Sequence, residues 1–197
     1  MQYHNEIFLP LLPYTHFYGL SILFIWYFTE GTLTIYKHHH PRNTLYKIIS
    51  SSVTIVDASP SLYTSLIKFI ENKQLNVQNQ FAKVKMWCIG GAPLTRGLDN
   101  KFKNLFNKPL LNGYGLTEIG NVALANITNY IGCGQILPPF QVKIYNESRE
   151  PLPMNEIGEI SIYVPFNIND YNNNVLNSDG WYHTDNNLFV IGRSNLG

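Results

Sequence analysis

Cysteine, charge and basic runs are all scarce in this chain. Two cysteines in 197 residues, Cys88 within an apolar run and Cys133 within Gly-Cys-Gly, form neither a CxxC pair nor a disulfide framework. A reducing interior, the cytoplasm, is therefore the expected address. Charged residues make up 14% of the chain, with a net charge of +1. The lysines that cluster (Lys83, Lys85, Lys101, Lys103, Lys108) alternate with apolar side chains, which excludes a basic tract and the electrostatic footprint of a nucleic-acid partner. Ile7 to Thr29 has no Asp, Glu, Lys or Arg, but Pro10, Pro13, Thr15, His16 and Gly19 interrupt it and leave only Ile22 to Phe28 continuously apolar. No transmembrane segment is expected there, and the lack of a basic residue before Lys37 argues against a secretory leader. His38-His39-His40 has no cysteine or acid spaced to complete a metal site, and adjacent residues of an extended segment point to opposite faces. A solvated loop is the expectation.

What is present is enough apolar material for a core: 45% hydrophobic and 14% aromatic residues, suited to one domain or a large piece of one. Glu6 to Leu12 reads as a strand running into a loop. Phe17 to Thr29, apolar on nearly every face, predicts a buried helix ended by Gly31. Thr32 to Tyr36 alternates as a strand does, Leu45, Ile48 and Ile49 mark a short amphipathic helix, and Val53 to Val56 a buried strand. Ser59-Pro60 combines a capping hydroxyl with proline at the first helical position, followed by Leu62, Tyr63, Leu66, Ile67 and Ile70 at helical spacing. A strand at Val84 to Ile89, a Gly-Gly turn, a helix at Thr95 to Phe106 and a strand at Pro109 to Leu111 complete an alternation that predicts a parallel α/β sheet over residues 1–120. From residue 121 to 197 the pattern changes to strands (Val122–Ala125, Phe140–Tyr145, Ile157–Val164, Leu188–Ile191) separated by Gly, Pro and Asn turns, which predicts an antiparallel, barrel-like subdomain.

The chemistry concentrates in Leu110 to Gly120, Leu-Leu-Asn-Gly-Tyr-Gly-Leu-Thr-Glu-Ile-Gly. Gly113 and Gly115 bracket Tyr114, so the backbone is expected to turn tightly and let a ligand approach. Thr117 can donate to a phosphate oxygen, and Glu118 offers the hard oxygen that Mg²⁺ prefers. Taken alone, the stretch reads more readily as a plain strand followed by a turn. It resembles, however, the Tyr-Gly-x-Thr-Glu motif of the adenylate-forming enzymes, the superfamily of acyl-CoA synthetases, peptide-synthetase adenylation domains and firefly luciferase. Other stretches follow in that family's order. Leu9-Pro10-Leu11-Leu12-Pro13-Tyr14-Thr15-His16-Phe17-Tyr18-Gly19 is similar to its Leu-Pro-x-x-His-x-x-Gly segment, and Ile89-Gly90-Gly91-Ala92-Pro93 to its Gly-Gly-Ala-Pro turn. Gly132-x-Gly134, Gly158-Glu159-Ile160, Gly180-Trp181 and Gly192-Arg193 match its later motifs.

The resemblance implies an adenine pocket between Gly90, Gly91, Ala92 and Pro93 on one side and Asn112, Gly113, Tyr114 and Gly115 on the other. It implies an acid-substrate site at His16, Tyr18, Gly90 and Gly115, with Thr117 and Glu118 at the phosphates and metal. Ribose contacts would come from Asp185 and Arg193, although the Gly of the family's Thr-Gly-Asp is missing here and Asn186 competes with Asp185 for the role. The family's Ser/Thr/Gly-rich phosphate loop, upstream of the His16 segment, and its Lys-bearing domain beyond the Gly-Arg are not found in these residues, so the resemblance covers the central part of the family and the isolated chain is expected to be inactive. The implied parent reaction is ATP- and Mg²⁺-dependent activation of a carboxylic acid, a fatty acid in the first instance, to acyl-AMP and then to a thioester with CoA. Alternatives are an adenylation domain loading carrier-protein phosphopantetheine, a non-catalytic nucleotide-binding remnant, or half of a split enzyme completed by a complementary chain.

Overall fold

The computed structural model describes residues 5–37, 40–77, 79–153, 156–165 and 180–184. Its first half alternates strand and helix: β1 (Ile7–Leu11), α1 (Phe17–Thr29), β2 (Thr32–Leu33), α2 (Pro41–Ser50), β3 (Ile55–Ala58), α3 (Pro60–Asn72), β4 (Met86–Ile89), α4 (Arg96–Phe106) and β5 (Leu110–Leu116). The strands β2-β1-β3-β4-β5 are hydrogen-bonded in that order and all parallel. β6 (Gly120–Leu124) and β7 (Gln135–Ile136) extend the same sheet antiparallel, giving seven strands. A separate antiparallel sheet of three strands holds β8 (Gln141–Tyr145), β9 (Glu159–Tyr163) and β10 (Trp181–His183) in the order β10-β9-β8. Antiparallel pairing thus begins close to Val122, while the break to a second sheet falls at Gln141. The strand read at Leu188–Ile191 lies outside the described residues.

Strand alternation decides what each face of the large sheet meets. Leu9, Leu11, Val56, Ala58, Trp87, Ile89 and Leu110 point to one side, where the apolar faces of α2, α3 and α4 close a single core. Helix α3 begins as its sequence dictates: the Ser59 hydroxyl accepts the Leu62 N–H and Pro60 takes the first helical position, where its missing N–H has no partner to lose. Its buried residues are Leu62, Tyr63, Leu66, Ile67 and Ile70, and burying each such side chain contributes about 1.5–3 kcal/mol. The other side of the sheet, carrying Phe8 and Ile55, meets α1 through Ile22, with Tyr18, Ile25 and Trp26 packed beside it.

Four expectations need correction. Helix α1 has the expected limits, but Phe24, Tyr27 and Phe28 are 54%, 70% and 77% exposed, because α1 rests on the sheet by one side only and no described element covers its outer side. Glu30, with φ of 55°, ends it in a left-handed conformation before Gly31, whose carbonyl accepts the Trp26 indole N–H at 2.8 Å. The strand expected over Thr32 to Tyr36 is confined to Thr32–Leu33, and the one expected at Val53 to Val56 is shifted to Ile55–Ala58. Most consequentially, Gly113 and Gly115 do not form a turn: they stay within β5, and the chain reverses at Thr117 to Ile119, where the Ile119 N–H bonds the Leu116 carbonyl at 3.3 Å. Among the described residues no helix is long and apolar enough to cross a membrane.

Candidate functional site

At the carboxyl ends of the parallel strands lies a cavity of about 530 Å³. The location follows from topology: the strands point their C-terminal ends, and the loops that leave them, at one edge of the sheet, the usual ligand position in such folds. β1 delivers Leu12, Pro13 and His16; β3 delivers Ser59; β4 delivers Gly90 and Gly91; β5 and its reversal deliver Gly113, Gly115, Thr117 and Glu118. The two glycine motifs are neighbours because β4 and β5 pair in parallel with Ile89 opposite Asn112.

Two glycines here are required by close approach. A Cβ on Gly90 would sit 2.8 Å from the Tyr18 ring, so the planar group lying against this glycine is the phenol of Tyr18. A Cβ on Gly115 would lie 2.7 Å from the Gly120 carbonyl oxygen, which lets β5 and β6 close tightly around the Thr117–Ile119 reversal and holds Thr117 and Glu118 at the cavity mouth. A bulge between Tyr114 and Gly115 adds to the bend.

Of the site residues expected from sequence, His16, Tyr18, Gly90, Gly91, Gly113, Gly115, Thr117 and Glu118 line this one cavity. Ala92 and Pro93 are exposed and outside its lining, since the chain leaves the sheet edge after Gly91. Asn112 and Tyr114 are also outside it: Asn112 lines a smaller cavity beside it, and Tyr114 is taken up by a neighbouring core. The Asn112 amide donates to Cys133 Sγ at 3.3 Å. Tyr114 packs with Tyr182 against the core formed by Ile119, Val122, Ile160, Ile162 and Val164, and burial raises its phenol pKa. Thr184 ends the segment that leads to Asp185; its hydroxyl donates to the Ile160 carbonyl at 2.9 Å. Asp185 and Arg193 lie outside the described residues.

The sequence reading missed Asp57. It lies on β3, is 2% exposed, and accepts a hydrogen bond from the Tyr18 hydroxyl at 3.1 Å. Burial raises its pKa to about 6, against the hydrogen bonds from Tyr18 and the Cys88 thiol that lower it. Burial likewise pushes Tyr18 and Cys88, beside it, well above their ordinary values. The only signal in the sequence was one acid inside the apolar run Val53 to Ala58. Ser59 and Asn121 also line the main cavity; Ser59 was legible only as a helix cap. Among the described residues no group of three or more His, Cys, Asp or Glu side chains could hold a metal. Glu118 by itself suits Mg²⁺ bound largely by nucleotide phosphates and water, the usual arrangement for that ion.

A parallel sheet with a cavity at its strand ends, lined by glycines, a hydroxyl and a carboxylate, is the arrangement by which α/β proteins bind ligands. The chain belongs to the AMP-binding enzyme family, whose family model matches residues 1–171. Among curated relatives it is 26% identical over 214 residues to a 4-coumarate–CoA ligase of Pinus taeda, an alignment covering 96% of this chain and 39% of that protein. It is also 26% identical over 159 residues to the human mitochondrial malonate–CoA ligase ACSF3, covering 73% of this chain and 28% of the relative. The chain therefore spans about two-fifths of the first of these relatives and less of the second. Among solved structures, ATP-bound MatB from Rhodopseudomonas palustris superposes with a TM-score of 0.79 at 19% identity, over 91% of this chain and 37% of MatB. O-succinylbenzoate coenzyme A synthetase (MenE) of Bacillus subtilis, in complex with AMP, superposes with a TM-score of 0.70 at 22% identity, covering 91% and 37%. These likenesses show the fold.

Proposed function

We propose that this chain is the nucleotide- and acid-binding part of an acyl-adenylate-forming ligase, whose whole reaction couples a carboxylic acid to a thiol, with CoA as the acceptor. The observation that carries the proposal is the convergence of the His16–Tyr18 segment, the Gly90–Gly91 turn and the Gly113–Glu118 segment on one cavity, although the sequence separates them widely. In the parent reaction the acid's carboxylate attacks the α-phosphorus of ATP, giving acyl-AMP and pyrophosphate, and the thiol then displaces AMP. Little covalent chemistry is asked of the protein; it must position the two reactants and stabilise developing charge.

The roles follow from chemistry and place. The open backbone of Gly91 and Gly113 admits the flat adenine edge, Thr117 donates its hydroxyl to a phosphate oxygen, and Glu118 supplies one anionic oxygen to Mg²⁺. His16, exposed at the head of α1, stands where it can meet the acid's carboxylate, and Tyr18 lines the same end. Asp185 and Arg193 are assigned to the ribose and its phosphate, the guanidinium fork being suited to such oxygens. Relatives named as CoA ligases support CoA over a carrier protein as the thiol.

The reading is tested by binding, since the chain is a fraction of its relatives' length. AMP and ATP titrated into the purified chain, followed by backbone amide shifts, should perturb Gly90, Gly91, Gly113 and Thr117. GTP should bind at least about tenfold more weakly, as expected where a ring edge is read by fixed polar groups. Shifts confined to other surfaces would overturn the assignment.

A further inference from the structure

A second cavity of about 90 Å³ lies between α1 and the sheet, walled by apolar side chains such as Phe8, Ile22, Ile55 and Met86. It shares Tyr18, Gly113, Asn121 and Leu124 with the main cavity, so the two adjoin at the proposed acid end. A water needs about 10–15 Å³ of such space, so the cavity has room for a group of several heavy atoms. One ionisable carboxyl intrudes on this apolar lining. Asp57 Oδ1 accepts a hydrogen bond from the Tyr18 hydroxyl at 3.1 Å, whereas its buried Oδ2 has no nitrogen or oxygen donor and only the weakly donating Cys88 thiol beside it. Among the described residues no ion pair reaches it.

A buried carboxylate oxygen offered only a thiol is poorly satisfied, and native interiors rarely leave a buried acceptor so. Tethering Tyr18 requires a single oxygen, which an asparagine would supply without burying a charge. Within the fold the second oxygen has only a weak thiol donor, and it lies in a residue that lines a cavity adjoining the proposed substrate site.

We propose that Asp57 is a specificity-determining residue of the acid pocket, accepting a hydrogen bond from a hydroxyl group at the far end of the substrate, while the substrate's carboxylate lies in the main cavity beside His16 and Thr117. The inference rests on the acid-binding reading of the main cavity and narrows it: the favoured acids are those tipped with a hydroxyl, and the unadorned fatty acid is the disfavoured analogue. A site that desolvates an acceptor for a substrate hydroxyl rejects the analogue without one strongly, because the acceptor is then left unpaired. Cys88, opposite Asp57 on β4, and Tyr18 are the polar neighbours that would flank the incoming hydroxyl.

The test uses two matched pairs of acids, hexanoate with its ω-hydroxy counterpart and phenylpropanoate with its para-hydroxy counterpart, titrated into the AMP-loaded chain and into Asp57→Asn and Asp57→Ala. In the unmodified chain at least one hydroxy acid should bind roughly tenfold or more tightly than its partner. The preference should fall to within about twofold in Asp57→Ala, with a partial loss in Asp57→Asn, which keeps the shape and guards against a folding failure of the alanine variant. Equal binding within both pairs, no binding of any of the four, or a preference that survives in both variants overturns the proposal. AMP affinity, measured in the same samples, separates the two levels. Retained AMP binding without a hydroxyl preference removes the role of Asp57 alone, whereas loss of AMP binding by the unmodified chain removes the nucleotide reading beneath it.

Discussion

On one face of the large sheet, Leu9, Val56, Trp87 and Ile89 meet three helices and an aromatic cluster; one residue along each strand, on the opposite face, Phe8, Ile55, Asp57 and Cys88 meet, among the described helices, α1 alone. The first face is close-packed, with the Trp87 ring 5.3 Å from Phe102 and 5.0 Å from Phe106, and Phe102 stacked on Phe106 at 4.4 Å. The second contains both the small cavity and a buried carboxyl, and its covering helix shows aromatic side chains to the outside. The same strands thus separate stability from ligand handling by residue parity alone. Dispersion and hydrophobic burial dominate where the helices close the core. Where α1 lies, part of that gain is forgone and space remains for other molecules.

The sharpest way to break the comparison is to empty each face in turn. Trp87→Ala should cost about 3–5 kcal/mol of unfolding free energy, since it opens a void in a core that cannot collapse around it. Cys88→Ala, one residue along and on the other face, should cost under about 1.5 kcal/mol. Urea unfolding followed by circular dichroism reads both, and similar losses would erase the distinction between the faces.

Next in size is the pH dependence that the buried carboxyl imposes. With a pKa raised from 3.8 to about 6 in the folded chain, Asp57 is neutral below the unfolded value in both states and carries no penalty there. As pH rises through about 6, the folded protein must hold a buried charge, and stability falls by an amount of order 3 kcal/mol. Asp57→Asn removes this titration. The melting temperature of the variant relative to the unmodified chain should therefore climb between pH 4 and pH 7; a constant difference would show that the carboxyl does not change its ionisation there.

A smaller effect is expected at the cavity mouth. Glu118→Gln keeps the shape and drops the charge, so ATP affinity in the presence of Mg²⁺ should weaken by roughly tenfold, about 1.4 kcal/mol, and recover in part as Mg²⁺ is raised. Isothermal titration at several Mg²⁺ concentrations measures this, and an unaltered Mg²⁺ dependence would make Glu118 structural. The smallest change lies on the solvent side of the packed face, where Lys103 pairs with Asp99 at 2.6 Å one helical turn away. Lys103→Ala should shift stability by only about 0.3–0.5 kcal/mol.

The sequence made the packed face legible and the open face only partly so. Helix α3 could be read nearly to the residue because Ser59, Pro60 and the spacing of Leu62 through Ile70 are local signals that agree with one another. The convergence of Gly90 with Gly113 was also readable, since alternating strands and helices predict adjacent parallel strands. What failed depended on facts outside any local window. The apolar surface of Phe17 to Thr29 says that a partner is wanted, but cannot say that one side of the helix meets no described element. Gly113 and Gly115 have the composition of a turn, yet their glycine character answers to β6 lying close alongside, a tertiary contact. Asn112 lines the smaller cavity instead of the main one, and Tyr114 packs into the core around Val122 and Ile162. Asp57 was hidden most completely, because an acid within a strand is legible as a site only once its burial and its neighbours are known.

Tyr18 joins two of these observations. Its ring rests against the Gly90 backbone at the nucleotide end, while its hydroxyl holds Asp57 at the acid end. In the proposed complex the two ligands therefore share one rigid lever: whatever seats AMP against the glycine turn also sets the angle of the ring that aims the carboxyl. Linkage makes such an arrangement reciprocal, so the factor by which AMP tightens a hydroxy acid must equal the factor by which that acid tightens AMP. In Tyr18→Phe, which keeps the ring and removes the tether, both factors should fall together toward unity, and the order in which the ligands arrive would then cease to matter to either affinity.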